Sequence, residues 1–224
     1  MEQPKRIRRV DLSKFKQLVQ AKLPAIQRFK IDSEHYAVDV PEMLRICYIN
    51  EVQRRHRVFV DDEDTRAHIE KVAKWLTVST RPGLLLYGGI GNGKTTMANA
   101  IADVIRIVYY DSSSMERSKS VTSISALDVA RMAQEDTAQA LRSLAEREIV
   151  HIDDVGTEPA SVKVWGNEVS PIVELIYRRY DRLLCTIITS NLDDAEILKR
   201  YGPRVSDRLH ETFDFLAYDN KSYR

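Results

Sequence analysis

Two clusters of residues in this chain have the types and spacing for phosphate chemistry. The first is Gly88-Gly89-Ile90-Gly91-Asn92-Gly93-Lys94-Thr95-Thr96, in which Gly88, Gly93, Lys94 and Thr95 fill every fixed place of G-x-x-x-x-G-K-[ST]. A loop that wraps a polyphosphate must turn backbone N–H groups inward, which requires glycines at conformations other residues resist. Lys94 then neutralises the β- and γ-phosphates, and the Thr95 hydroxyl is placed to ligate Mg²⁺. The second cluster is Asp153-Asp154, about 60 residues further on, at the end of the apolar run Ile149 to Ile152. One carboxylate of such a pair holds Mg²⁺, directly or through water, while the next orients an attacking water. By itself Asp-Asp after a strand is a turn. Downstream of a phosphate loop it predicts the acidic half of a nucleoside triphosphate site.

These residues need elements to position them. Leu84 to Tyr87 reads as a short buried strand, and Met97, Ala98, Ile101, Ala102 and Ile105 recur at helical spacing behind the loop. The helix would aim the positive end of its dipole at the same phosphates. Val121–Ile124, Ile149–Ile152, Cys185–Thr189 and Phe213–Tyr218 read as four more strands. Five β units with helices between them predict a parallel sheet covered on both faces. The fourth strand ends in Thr189-Ser190-Asn191, where a polar residue either senses the γ-phosphate or caps the next helix. His151, expected on the opposite face of its strand, reads as a packed core histidine rather than a catalyst.

Around this frame, Pro41 opens a helix to about Arg55 with Leu44, Cys47, Tyr48 and Val52 on one stripe. Asp61-Asp62-Glu63-Asp64 fits a helix start, with Ile69, Val72, Ala73 and Leu76 on one face. Ser125 to Asp128 has the capping-box pattern, and a further helix is expected from about Thr137 to Arg147. Val162 to Gly166 reads as a loop or short turn. Pro171 starts a helix through about Leu183, with Ile172, Leu175, Ile176 and Tyr180 inward and Arg178, Arg179 and Arg182 outward. Arg204 and Arg208 fall four apart on one helix face.

The 224 residues suit one α/β domain plus an N-terminal extension. A net charge of +1 hides an uneven distribution: residues 1–30 carry nine Lys/Arg against two Asp/Glu, leaving −6 for the remainder. Such a basic segment, with Leu12, Phe15, Leu18, Val19 and Leu23 spaced for a short amphipathic helix, suits nucleic acid, an acidic protein face, or no partner at all as a solvated tail. Cys47 and Cys185 lie far apart without metal-type spacing and read as buried thiols of a reducing compartment. With no signal peptide and no run of some 18 apolar residues, the expectation is a soluble cytoplasmic protein without a membrane partner.

Four segments, GGIGNGKTT, IVHIDDVG, TIITSN and YGPRVSDRLHE, come in the order and rough spacing of one family over about Phe59 to Arg224. On them the chain resembles AAA+ ATPases of the initiator and helicase-loader group, and is most similar to DnaC-like loaders and IstB-like transposition ATPases. The resemblance implies a P-loop NTPase fold with sheet order 5-1-4-3-2, ATP and Mg²⁺ as ligands, and ring or spiral homo-oligomers that share active sites. It divides the chain into a partner-binding extension, 1–58, and an ATPase domain, 59–224. It makes Asp153 the Mg²⁺-associated acid, Asp154 the water-orienting acid (Glu in most AAA+ proteins), Asn191 the sensor 1 residue and Arg208 an arginine finger reaching a neighbour's γ-phosphate. The final KSYR is similar to the DSYR of DnaC proteins, which implies that Arg224 is a sensor 2 residue. The helical lid of most AAA+ proteins is missing after the last strand, as in DnaC-like proteins. The implied function is ATP-dependent loading of a replicative helicase onto single-stranded DNA. The alternatives are an IstB-type ATPase that binds DNA and recruits a transposase, and a nucleotide-gated adaptor with little hydrolysis.

Overall fold

The computed structural model describes residues 11–22, 29–32, 39–110, 118–135, 138–164 and 166–223. Among these the strands are β1 (Gly83–Gly88), β2 (Thr122–Ser125), β3 (Ile149–Val155), β4 (Val162–Val164), β5 (Asn167–Val169), β6 (Cys185–Ser190) and β7 (Phe213–Tyr218). The first helices are α1 (Leu12–Lys22), α2 (Val40–Arg54), α3 (Glu63–Thr77) and α4 (Lys94–Val108). They are followed by α5 (Ala126–Glu135), α6 (Ala138–Glu146), α7 (Pro171–Tyr180), α8 (Asp194–Tyr201) and α9 (Pro203–Thr212).

Five strands form one parallel sheet in the order β2-β3-β6-β1-β7, which is 5-1-4-3-2 when only sheet strands are counted. Alternation along each strand sends side chains to two separate apolar clusters. Leu84, Leu86, Ile149 and Ile187 face α2, α3 and α4, packing with Leu44, Val72, Met97 and Ile101. Leu85, Val150, Ile152 and Ile188 face the other way, against Val129, Leu144, Ile172, Leu175 and Val205. Each such buried side chain stabilises the fold by about 1.5–3 kcal/mol relative to exposure. The inner strand β1 reads as an unbroken apolar run because helices cover both faces.

The helix starts carry the caps their sequences suggest. Asp39 Oδ1 accepts from Glu42 N at 3.2 Å, and Asp62 Oδ1 accepts from Thr65 N at 2.8 Å. Ser125, the last residue of β2, accepts from Asp128 N at 3.0 Å. Asp193 and Glu196 form a reciprocal capping box on α8. Residues 219–223 follow β7 without a helix.

Three details depart from expectation. Residues 162–169 are not a loop but an antiparallel hairpin, with Val162 opposite Val169 and Lys163 opposite Glu168. Its strands are three residues long, too short for alternation to register, and buried Val162 docks it on α5. Arg179, expected outward, is 1% exposed. Its guanidinium donates to Ala145 O (3.2 Å), Arg147 O (2.7 Å), Cys185 O (2.5 Å) and Thr186 Oγ1 (2.8 Å), tying the end of α6 to the start of β6. Burial lowers its pKa to about 10, which still leaves it charged at neutral pH. The third is His151, buried as expected but on the same strand face as Asp153, because residues two apart share a face.

Helix α2 is built into the domain. Val40, Leu44, Cys47 and Tyr48 share one cluster with Met97 and Ile101 of the phosphate-loop helix, joined by Phe29 and Ile31. A division of the chain at 58/59 passes through that cluster. On the other side of residues 23–28, Asp11 precedes α1 and its side chain accepts from Ser13 N and Lys14 N, while Leu12 and Phe15 of the helix are exposed.

Candidate functional site

The site lies where β1, β3 and β6 end. Strand β1 leaves the sheet at Gly88 with φ +126°, where a Cβ would collide with the Tyr218 carbonyl of the neighbouring strand. Gly93 closes the loop at φ +99°, hard against the Tyr48 phenol, and α4 begins at the next residue. Only glycine satisfies both the backbone and the space at these two positions. The result is a helix N-terminus opening into a cavity of about 370 Å³.

Inside the loop, Lys94 Nζ donates to Gly88 O (2.9 Å), Gly89 O (2.6 Å) and Asn92 Oδ1 (3.1 Å). It also donates to Asn191 Oδ1 at 2.9 Å, which joins the end of β6 to the loop. Thr95 Oγ1 donates to Asp153 Oδ1 at 2.9 Å, joining the loop helix to the end of β3. Thr189 Oγ1 donates to the same oxygen at 2.5 Å and accepts the Asp154 N–H at 2.9 Å. One hydroxyl therefore sets both acids.

Burial opposes ionisation of Asp153, but the His151 ring 3.5 Å away and the Thr189 and Thr95 hydroxyls outweigh it and hold the carboxyl at about 2. Beyond it the β3–β6 register shifts, and Asp154 takes φ +54°, a backbone state that non-glycine residues seldom adopt. Asp154 reaches the cavity wall together with Asn191.

Tyr48 and Val52 of α2 with Val58, Phe59 and Val60 give the cavity an apolar lining, beside Arg55 and Arg57. A phosphate-type loop and apolar side chains lining one cavity suit a molecule with a polyphosphate and a ring. The volume falls within the usual range of about 300–1,000 Å³ for small-ligand sites. The donors also fit Mg²⁺: Thr95 supplies a hydroxyl and Asp153 a carboxylate held ionised, both hard oxygens. No group of three or more His, Cys, Asp or Glu could hold a metal among the described residues.

The expected residues Gly88 to Thr96, Asp153, Asp154 and Asn191 thus converge. Arg208 stands apart from them. Its guanidinium lies 3.9 Å over the Tyr177 ring and 4.9 Å from the Tyr180 ring, outside the cavity. Arg204 is exposed on the same helix, and Arg224 lies outside the described residues. Thr189, Tyr48, His151 and Tyr223 contribute to the site without having been singled out for it. Thr189 adjoins the Thr-Ser-Asn exit, and the two-residue spacing of His151 from Asp153 is a signal of its own.

A parallel sheet of this order, with a glycine loop at the end of β1 and paired acids at the end of β3, is a P-loop NTPase fold. Residues 84–183 match the family described as "ATPase family associated with various cellular activities (AAA)". Among solved structures the chain is similar to the DnaC helicase loader, at 19% identity and TM-score 0.56 over 77% of this chain and 98% of that one. It is similar to DnaI at 18% identity and TM-score 0.57, over 82% and 93% of the two chains. It is also similar to AMPPCP-bound DnaA from Aquifex aeolicus at 20% identity and TM-score 0.52, over 73% of this chain and 50% of that one. No curated protein sequence matches. At such identities the likeness is one of fold, and the chain has a DnaC-like AAA+ fold. No described helix is long and apolar enough to cross a membrane.

Proposed function

We propose that the protein is an ATP-dependent helicase loader that binds Mg·ATP in the β1/β3/β6 cavity and delivers a replicative helicase to single-stranded DNA in the cytoplasm. The observation that carries the nucleotide part is the pair of cross-links at the loop: Lys94 to Asn191 and Thr95 to Asp153. They put a cation, a hydroxyl and an ionised acid under a cavity of nucleotide size. The loader part is supported by the fold shared with DnaC and DnaI.

In this reading Lys94 exchanges the Gly88 and Gly89 carbonyls for phosphate oxygens, releasing the loop to close on them. Asn191 stays within reach of Lys94 and so senses what the lysine holds. Asp154 accepts the proton side of the attacking water, held at the cavity wall by the Thr189 hydroxyl on its N–H. Thr95 and Asp153 hold Mg²⁺, which when bound offsets the phosphate charge. Arg208 acts on the site of a neighbouring subunit in a ring or spiral. Arg224 completes the site as sensor 2. Partner binding belongs to the basic segment before α2, since α2 itself packs on α4.

Capture of a purified replicative helicase, but not a transposase, by the full chain in ATP would support the loader reading. Capture of the transposase alone would replace it with an IstB-type role. Nucleotide binding without turnover, with or without single-stranded DNA, would leave a nucleotide-gated adaptor. Deleting residues 1–30 should weaken partner or DNA binding, and the difference should shrink in high salt.

A further inference from the structure

A loop that points its N–H groups at a ligand turns carbonyls outward, and those oxygens need donors of their own. Here those of Gly91 and Asn92 are met by the segment after β7. Tyr223 N donates to Gly91 O at 2.9 Å, and Asn220 Nδ2 donates to Asn92 O at 3.3 Å. Asn92 returns the contact, its side-chain amide donating to the Tyr218 carbonyl. The phenol of Tyr223 reaches across to the start of α3, donating to Asp62 Oδ2 at 2.8 Å with Thr65 Oγ1 at 2.9 Å. Its ring edge comes within 3.8 Å of where a Cβ on Gly93 would stand, and the residue lines the cavity. Asp62 is a firm anchor, because its other oxygen caps α3 through Thr65 N.

From these contacts we infer that Tyr223 is a positioning residue for the phosphate loop. Its N–H holds the middle of the loop, its ring walls the cavity, and its hydroxyl fastens both to α3. The strap 219–223 keeps Gly91 to Gly93 in the shape that receives a nucleoside polyphosphate. This rests on the nucleotide reading above and adds a residue that the phosphate-loop pattern does not contain. The strap acts on the loop rather than on the acids, so ADP and ATP should feel its loss alike.

Three variants separate the parts. Tyr223→Phe removes only the hydroxyl, Tyr223→Ala removes the ring as well, and Tyr223→Pro also removes the N–H. Dissociation constants for Mg·ADP and Mg·ATP, together with melting curves with and without nucleotide, provide the readouts. Phe should weaken both nucleotides by about three- to tenfold, as expected for partly exposed hydrogen bonds, and Pro should be weaker than Ala by a similar factor. Asp62→Asn preserves the helix cap but weakens the phenol's acceptor, so its effect should not add to that of Tyr223→Phe. Melting without nucleotide should fall only slightly, and the nucleotide-induced rise should shrink as well. Wild-type affinity in all three variants would overturn the inference. So would an equal fall in melting with and without nucleotide, which would mark a purely structural tie. Failure of the wild-type chain to bind either nucleotide would instead overturn the proposed function, and the inference with it.

Discussion

The end of the sheet and the outer face of α9 hold the two halves expected of the catalytic apparatus, and they are built differently. At the sheet end, residues from β1, α4, β3 and β6 meet in one network: Lys94 on Asn191, Thr95 and Thr189 on Asp153. On α9, Arg208 rests on Tyr177 and Tyr180, while the Tyr180 hydroxyl donates to Glu211 at 2.6 Å. The first half is complete within a single chain. The second is a guanidinium seated on two rings outside the cavity. Rings under the guanidinium limit its rotamers without neutralising it, so the charge stays available. Binding and assembly should therefore separate under mutation.

The largest effect is expected from Asp154→Asn. Shape is kept but basicity is lost, so turnover should fall by about 10²–10⁴ while nucleotide affinity holds, measured by phosphate release beside a direct titration. Unchanged turnover would remove Asp154 from the mechanism. Lys94→Ala should act on the other quantity. Losing two charge-assisted hydrogen bonds to phosphate corresponds to at least about 10² in affinity. A folded variant with wild-type affinity would show that the loop does not hold the polyphosphate.

Arg208→Ala should break the comparison from the α9 side. It should bind ATP normally and lose assembly-dependent turnover by about 10- to 100-fold, well below the range for trans-acting arginines in GTPases. Mixing it with Lys94→Ala should restore part of the activity, because each variant supplies what the other lacks at a shared interface. Arg204→Ala is the control. A mixture that assembles but is no more active than its components would make each chain self-contained.

What could be read in advance follows the same division. The loop, its helix and the strands are local patterns, and a continuous apolar run or a fixed motif survives whatever packs around it. The sheet order came from the family resemblance rather than from periodicity. Arg179 escaped because its acceptors, Ala145, Arg147 and Cys185, lie 34 and 32 residues upstream or across a turn, and nothing on its own helix announces them. The cavity wall escaped for a similar reason. Tyr48, Thr189 and Tyr223 reach the site from three distant stretches, so only folding brings them together. Arg208 was recognised as a residue, but its seat on Tyr177 and Tyr180 depends on how α9 crosses α7.

The smallest effect expected at neutral pH concerns Thr189, whose hydroxyl serves both acids. The folded Asp153 carboxyl sits at about 2, below the ordinary 3.8, so the folded state favours its ionised form. That contribution is complete above the ordinary value and is lost as pH falls through the folded one. Mg²⁺-dependent nucleotide binding should therefore show no Asp153 titration between pH 5 and 8, and should fail only on strong acidification. Thr189→Val removes one of the groups that lowers the carboxyl and leaves the Asp154 N–H without its acceptor. Its acid limit should move upward, toward the ordinary carboxyl range, while affinity at pH 7 changes by no more than a few-fold. Thr189→Ser retains the hydroxyl and should restore the wild-type profile. Turnover should respond more than affinity, because the same substitution loosens the backbone that aims Asp154. An acid limit unmoved in Thr189→Val would mean that His151 and Thr95 hold Asp153 without it. Thr189 would then serve the water-orienting acid alone, and the two carboxylates would be set independently.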